Sequence, residues 1–148
     1  MKFDYEKEPS RDILCIDCKS FYASVECAER GLDPLKTMLV VMSNAENAGG
    51  LVLSASPMAK KVLGVSNVTR KNQVPAHPDL YGVPPRMNLY MKKNQEINNL
   101  YKKFVADEDH SVFSVDESFL DVTASLSYFH CEPAYKMARI IQRFVYNH

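Results

Sequence analysis

Apolar and polar positions along the chain follow two periods, which predict a mixture of strands and helices. Ile13–Asp17 is apolar on both faces, as is typical of a central strand. Phe21, Val25 and Ala28 then recur with a helical period, and Gly31 stands where helix ends favour glycine. We therefore expect a strand followed directly by a helix.

The rest of the chain continues this mixture. Strands are predicted at 37–42 and 51–55, a loop at 43–50, a short helix at about 57–64, longer helices around 87–104 and 134–145, and a tight hairpin within 111–123. Residues 66–86 hold four prolines and little periodicity, so we interpret them as a connection between lobes. The order predicts an α+β fold, with a helix-backed antiparallel sheet and a small lobe inserted between about 29 and 86.

Composition changes this picture only slightly. The chain has 148 residues, room for one domain or for one domain and part of another. Its 18 basic and 18 acidic residues cancel, so there is no strong basic field of the kind that a stand-alone DNA-binding protein carries. No signal-peptide pattern and no apolar run of roughly 18 residues is present, so we expect a soluble, cytoplasmic protein with no membrane partner.

The cysteines allow two interpretations. Cys15 and Cys18 form a CxxC pair, which occurs in zinc sites and redox pairs. They fall in an apolar strand, however, where positions i and i+3 point to opposite faces, and no second ligand pair follows. We therefore favour small core residues over a metal site.

Three carboxylates carry the candidate chemistry. Asp17 ends the first strand, while Asp116 and Glu117 are predicted at the bend of the hairpin, so all would meet at one rim of a shared sheet. Adjacent acids repel unless a cation lies between them, and divalent cations bridged by carboxylates promote phosphoryl transfer. The alternative is a solvated acidic turn, but a carboxylate that ends an apolar strand is harder to explain by solvation.

Two aromatic residues lie about one helical turn beyond Asp17. Phe21 lies on the apolar stripe and is predicted to pack in the core, whereas Tyr22 lies off that stripe and could face the site. Rings at this place would lie close to a metal-bound substrate.

The short helix offers a possible anion site. Ser54 lies just before it, and Lys60 and Lys61 lie within it. Hydroxyls, lysines and a helix N-terminus together suit a triphosphate. The loop lacks the GxxxxGK[ST] pattern, however, and paired lysines commonly face water.

Beyond these features, the sequence resembles the Y-family (translesion) DNA polymerases in five segments. DCKSFYASVE (17–26) is similar to the first motif of the family, and FSVDESFLDVT (113–123) to its second catalytic motif. MSNAENAGGLVL (42–53) with AKKVLGV (59–65) resembles the fingers of the SOS-mutagenesis, UmuC-like branch, and RMNLYMKKNQEINNL (86–100) resembles the helix that follows them.

The resemblance implies a fold and an activity. The chain would be the N-terminal fragment of the enzyme, with the palm at 1–28 and 87–148 and the fingers at 29–86, the second palm part being truncated in a helix. The implied reaction is two-metal transfer of a deoxynucleotide from a dNTP to a primer 3′-hydroxyl, on damaged templates.

The resemblance also implies roles for individual residues. Asp17, Asp116 and Glu117 would hold two Mg²⁺ ions, or Mn²⁺ in their place, together with the backbone carbonyl of Cys18.

Three roles concern the nucleotide. Tyr22 would be the steric gate that excludes a 2′-hydroxyl, and Phe21 would support it. Lys61 would contact the triphosphate, with Lys60 as the alternative if the register shifts by one residue.

Two departures from the family pattern matter. Many relatives place a tyrosine ahead of the basic residue, where this chain has Pro57 or Met58. The chain also lacks the rest of the palm, the thumb and the C-terminal DNA-gripping domain, including a further phosphate-contacting lysine. We therefore expect the fragment alone to be inactive.

The implied partners are primer–template DNA and dNTP. A processivity clamp and an SOS accessory protein could bind through the missing C-terminal part, and the location would be the nucleoid. Two alternatives stay open, a nucleotidyl cyclase, which would need no primer, and a non-catalytic polymerase-like module that binds partners.

Overall fold

A computed structural model describes residues 4–43 and 49–148 of the chain. In chain order its elements are β1 (Ile13–Asp17), α1 (Phe21–Glu29), β2 (Leu39–Met42), β3 (Val52–Ala55), α2 (Pro57–Leu63), β4 (Tyr81–Val83), α3 (Met87–Tyr101), β5 (His110–Val112), β6 (Glu117–Asp121), α4 (Thr123–Tyr128) and α5 (Ala134–Tyr146). This mixture of helices and largely antiparallel strands confirms the predicted α+β class. The loop predicted at 43–50 falls mostly on residues 44–48, outside the described residues.

The chain forms two compact units, each with its own sheet. Met1–Asp17 and Asn94–His148 make up the first unit, and Cys18–Lys93 makes up the second. The palm and fingers boundaries expected from the resemblance, at 28/29 and 86/87, remain predictions.

The sheet of the first unit has the strand order β1-β6-β5 and is antiparallel throughout. The register pairs Ile13 with Asp121 and Asp17 with Glu117. Among the described residues β1 therefore lies at an edge of this sheet, not in its centre as its sequence predicts. Its apolar residues do not all enter the core, because Ile13 and Cys15 lie on an exposed face.

The core of the first unit lies on the other face of this sheet. Leu120 and Val122 are fully buried there, and they pack with Met137 and Ile141 from α5, the helix whose apolar stripe the sequence predicts. α4 also covers this face through Leu126, although the sequence analysis does not predict this helix. Burying one face of a sheet under amphipathic helices gives the helix-backed arrangement expected of the α+β class.

The sheet of the second unit has the strand order β3-β2-β4. β2 pairs antiparallel with β3 but parallel with β4, with Leu39 opposite Tyr81 and Val41 opposite Val83. Residues 66–86 are thus not simply a connection, because they supply the third strand of this sheet. α1 packs on β2 and β3, and α2 packs on β2.

Both short helices of the second unit end at glycine, as predicted. Beyond α1, the N–H of Leu32 donates to Cys27 O and the N–H of Gly31 donates to Ala28 O, the bond pair of a Schellman motif. Gly31 has φ +68 and Gly64, which ends α2, has φ +66. Both glycines therefore occupy the left-handed region that other residues avoid.

The hairpin that carries the acidic pair is wider than predicted. β5 and β6 are joined by residues 113–116, and Glu117 is already the first residue of β6. Asp116 ends the connection, so the two acids do not form the tip of a tight turn. Among residues 4–43 and 49–148, no helix combines the length and the apolar character needed to span a membrane.

Candidate active site

Three carboxylate residues lie at the same end of the sheet of the first unit. Asp17 is the last residue of β1, and its register partner Glu117 is the first residue of β6. Asp116 immediately precedes Glu117. The sequence therefore predicts correctly that the three acids share a rim, because an antiparallel pair places the end of one strand beside the start of the other.

A serine hydroxyl links the two acids of the hairpin. Ser114 Oγ lies 3.1 Å from Asp116 Oδ1 and 3.0 Å from Glu117 Oε2, so its proton can reach either carboxylate. The backbone N–H groups of Phe113 and Ser114 both donate to Glu117 O, at 3.0 and 3.1 Å. The connection between β5 and β6 is thus folded back on the residue that begins β6.

The donor set at this rim suits a hard cation. Carboxylate and carbonyl oxygens are the ligands that Mg²⁺ prefers, and Asp116 and Glu117 are half-buried while Asp17 is exposed. In the described part of the chain, no three His, Cys, Asp or Glu side chains are grouped closely enough to hold a metal ion. The residues present fit the chemistry of such a site, and the roles of these ligands remain predictions.

In the second unit, the two aromatic residues at the start of α1 have different environments. Phe21 is 5% exposed, in keeping with the predicted core position. Tyr22 is half-buried, and its ring stacks on that of Tyr90 from α3, with centroids 4.5 Å apart and an interplanar angle of 12°. The stacked partner limits the orientations open to the Tyr22 ring.

Tyr90 is in turn held by a buried carboxylate for which the sequence predicts no role. Glu26 is fully buried, and its Oε1 accepts hydrogen bonds from Tyr90 Oη at 2.7 Å and from Arg86 Nε at 2.9 Å. Its Oε2 accepts from Arg86 Nη2 at 2.6 Å and from Arg30 Nη1. One buried anion therefore joins α1, α3 and two guanidinium groups.

This network shifts the pKa values of its members. Burial alone would raise the pKa of Glu26, but hydrogen bonds from Arg86, Tyr90 and Arg30 stabilise the anion more strongly and lower the pKa to about 2. Burial raises the pKa of Tyr90, and the hydrogen bond to Glu26 raises it further. The carboxylate is therefore ionised and the phenol protonated across the physiological range.

Part of this cluster could have been found in the sequence. Glu26 adjoins Val25 on the stripe that Phe21 begins, and a carboxylate on an apolar stripe requires a cationic partner. Arg30 stands at the i+4 position, which favours an ion pair on a helix. The partnership with Arg86 carries no such signal, because 60 residues separate it from Glu26.

The predicted anion site at α2 is not built as expected. Ser54 is 3% exposed, and its Oγ accepts a hydrogen bond from Ala23 N at 3.2 Å, which ties β3 to α1. The N-cap residue Ser56 is also buried, and its Oγ accepts from Ala59 N and Leu39 N. The hydroxyls are thus engaged within the fold, and contact of Ser54 with a ligand stays a prediction.

The two lysines lie away from the N-terminus of α2. Lys60 and Lys61 are in the last turn of this helix, with Lys60 half-buried and Lys61 exposed. Contact of either lysine with a triphosphate stays a prediction.

The cysteines differ from the expected pattern at one position. Cys27 and Cys131 are buried, but Cys15 is exposed and Cys18 is half-buried, and all four are free thiols. Cys15 is therefore not a core residue, because its side chain lies on the open face of the edge strand β1.

Comparisons with known proteins agree on one family. The sequence model of the impB/mucB/samB family matches residues 16–148. UvrX of Bacillus subtilis (strain 168), whose name refers to UV-damage repair, is 42% identical over 118 residues. A "DNA repair protein homolog", YozK, from the same strain is 40% identical over 113 residues.

Solved structures give the same result. A Y-family DNA polymerase chimera superposes with a TM-score of 0.75 and 28% identity, over 88% of this chain. Only 38% of that polymerase and 28% of UvrX are matched, so the chain spans about a third of each of these relatives. YozK is different, because the match covers 98% of its length and 76% of this chain.

Proposed function

Because the chain belongs to the impB/mucB/samB family, we propose that it forms the catalytic part of a lesion-bypass DNA polymerase. The observation that carries this proposal is the pairing of Asp17 with Glu117 beside Asp116, at one rim of a sheet whose fold is similar to that of a Y-family polymerase. The reaction is transfer of a deoxynucleotide from a dNTP to the 3′-hydroxyl of a primer on template DNA.

Asp17, Asp116 and Glu117 would hold two Mg²⁺ ions, or Mn²⁺ in their place, with the backbone carbonyl of Cys18 as a further ligand. When bound, such cations activate the attacking hydroxyl and neutralise charge that develops on the transferred phosphoryl group. The protein contributes the anionic rim, and the Ser114 hydroxyl shared by two of the acids limits how far their side chains separate.

Tyr22 would select the sugar of the nucleotide, with Phe21 packed behind it. A steric gate works only if its ring cannot swing aside, and the stack of Tyr22 on the buried Tyr90 ring supports this role. Lys61, or Lys60 in the other register, would contact the triphosphate.

Template, primer and dNTP are the partners that this reaction requires. Assignment to the SOS-mutagenesis branch, binding of a clamp or an accessory protein, and a location in the cytoplasm at the nucleoid remain predictions. The parts of UvrX and of the polymerase chimera that this chain does not match include most of their length. We therefore expect no processive extension by the 148-residue chain alone.

The test is primer extension by a fusion in which this chain replaces the matching segment of UvrX, with unmodified UvrX as the reference. With Mg²⁺, the fusion should extend a primer on an undamaged template and past an abasic site. The Asp116→Asn, Glu117→Gln double variant should lose extension by at least about a thousandfold while keeping its fold, because both carboxylates are removed at nearly constant volume.

The controls separate the competing functions. Tyr22→Ala should extend with ribonucleotides that the unchanged fusion rejects. Pyrophosphate release from nucleotide without a primer would instead favour a cyclase. A folded fusion that binds primer–template but does not extend it, beside an active UvrX, would contradict the proposal and favour a non-catalytic binding module.

A further inference from the structure

In the first unit, side-chain amides of α3 bind the hairpin that carries the acidic pair. Asn94 Nδ2 donates a hydrogen bond of 2.6 Å to Val115 O, in the connection between β5 and β6. One turn later, Asn98 Nδ2 donates to Asn94 O at 2.9 Å. The two asparagines thus form a short ladder along the helix, and its first rung reaches the acidic connection.

The second rung fixes both strands of the hairpin. Asn98 Oδ1 accepts a hydrogen bond from Ser118 Oγ in β6 and lies 2.7 Å from His110 Nε2 in β5. An amide oxygen can only accept, so His110 carries its proton on Nε2. Asn98 is 5% exposed and Ser118 is 3% exposed, and a buried, satisfied network of this kind is rigid. Asn98 therefore holds both strands of the hairpin, and Asn94 holds the connection between them.

The first rung acts directly on the backbone of Asp116. The carbonyl of Val115 and the N–H of Asp116 belong to the same planar peptide unit, so a bond to that carbonyl orients the plane from which Asp116 starts. The preceding residues are held by other bonds, since Phe113 N and Ser114 N both donate to Glu117 O. Asn94 thus constrains the part of the connection that lies between these bonds and β6.

We propose that Asn94 is a positioning residue that holds Asp116 in the orientation needed to bind a divalent cation. The proposal rests on the proposed function, because it takes Asp116 to be a ligand. Loss of a group that orients a metal ligand typically weakens metal binding by roughly tenfold or more. A side chain at position 94 that cannot donate a hydrogen bond would free the peptide between Val115 and Asp116. The Asp116 carboxylate could then turn away from the cation.

The test is a calorimetric titration of the 148-residue chain with Mn²⁺. Asn94→Leu keeps nearly the same size but removes the donor, and it should weaken Mn²⁺ binding about tenfold. Asn99→Leu, at an exposed position of the same helix, is the matched control and should bind within about twofold of the unchanged chain. Unfolding in the absence of metal is measured in parallel for each variant.

Two further variants keep the result decisive. Asn94→Ser is too short to reach Val115 O and less disruptive than Asn94→Leu, so it should also bind Mn²⁺ about tenfold more weakly. Asp116→Asn should lose most of the binding. If Asp116→Asn binds Mn²⁺ as the unchanged chain does, the proposed metal site itself is wrong. If Asp116→Asn loses binding while both Asn94 variants retain full affinity, Asn94 only stabilises the fold and this inference is overturned.

Discussion

At the scale of single residues, the strongest feature of the second unit is the fully buried carboxylate of Glu26. An isolated ion at such a site would be very unfavourable, and it is tolerated because two guanidinium groups and a phenol surround it. Glu26 also restricts the Tyr22 ring indirectly, because Tyr22 stacks on Tyr90 and the Tyr90 hydroxyl donates a hydrogen bond to Glu26. The interior of the second unit therefore holds one ring of the proposed nucleotide site.

We predict that Glu26→Gln lowers the free energy of unfolding by roughly 3 kcal/mol, because Arg86 and Arg30 lose the anion that they share. Urea-induced unfolding measures this difference. The matched control is Glu29→Gln on the same helix, whose ion pair with Lys93 is 3.7 Å long and partly exposed and should contribute under about 0.5 kcal/mol. Equal effects of the two substitutions would contradict the structural role of Glu26.

The same carboxylate predicts an acid sensitivity. Its pKa in the folded chain is about 2, below its ordinary value of 4.5, so the unfolded chain takes up the proton more readily as the pH falls. The stabilisation is complete above about pH 4.5 and is lost progressively down to about pH 2. Unfolding measured across this range should become easier toward acid, and Glu26→Gln should flatten the slope. An unchanged slope in that variant would show that other groups cause it.

At the scale of elements, the helix ends follow the sequence signals closely. The Schellman bonds after α1 place Gly31 in the left-handed region, and a Cβ added there would meet no atom within 4 Å. The surrounding space therefore does not oppose a larger residue at position 31, and the cost of a substitution lies in the backbone conformation alone.

We therefore expect Gly31→Ala to destabilise the chain by about 1 kcal/mol. Thermal unfolding measures the loss. Gly49→Ala is the control, since Gly49 has equally open surroundings but a φ outside the left-handed region, and it should change the free energy of unfolding by under about 0.5 kcal/mol. The same loss for both substitutions would argue against a conformational cause.

The elements that the sequence did not predict are short or ambiguous. β4 has only three residues, next to a proline pair. It forms by pairing in parallel with the edge of β2, and the sequence around β4 carries no signal for this long-range pairing. α4 has six residues with little apolar period. For β1, the run of apolar residues suits a central and an edge strand equally, so Cys15 could not be placed from its neighbours.

The site was predicted unevenly for a physical reason. Asp17 ends β1 and Glu117 begins β6, so strand pairing brings their backbones together, and Asp116 immediately precedes Glu117. Alternation of apolar and polar residues along the chain reveals these strands. Ser54 is predicted to contact a ligand because it precedes the N-terminus of α2 and its lysines, yet its hydroxyl also accepts a hydrogen bond from Ala23 N in α1. Long-range partners of this kind depend on how elements pack, which the sequence of one element does not contain.

At the scale of the whole molecule, the chain places three carboxylates at one end of a sheet, and it matches only part of the length of UvrX and of the polymerase chimera. The match covers 28% of the length of UvrX but 98% of the length of YozK. A long relative and a short relative therefore both contain the region that this chain matches. The proposed catalysis would require the three acids to act together on divalent cations, whichever further domains accompany this part of the chain.

The most direct test of that claim is an anomalous difference map from crystals of the chain soaked with Mn²⁺ and a dNTP. We expect Mn²⁺ peaks coordinated by Asp17, Asp116 and Glu117, with the triphosphate on the same ions. Crystals that bind Mn²⁺ elsewhere, or that show the nucleotide without a peak at this rim, would contradict it.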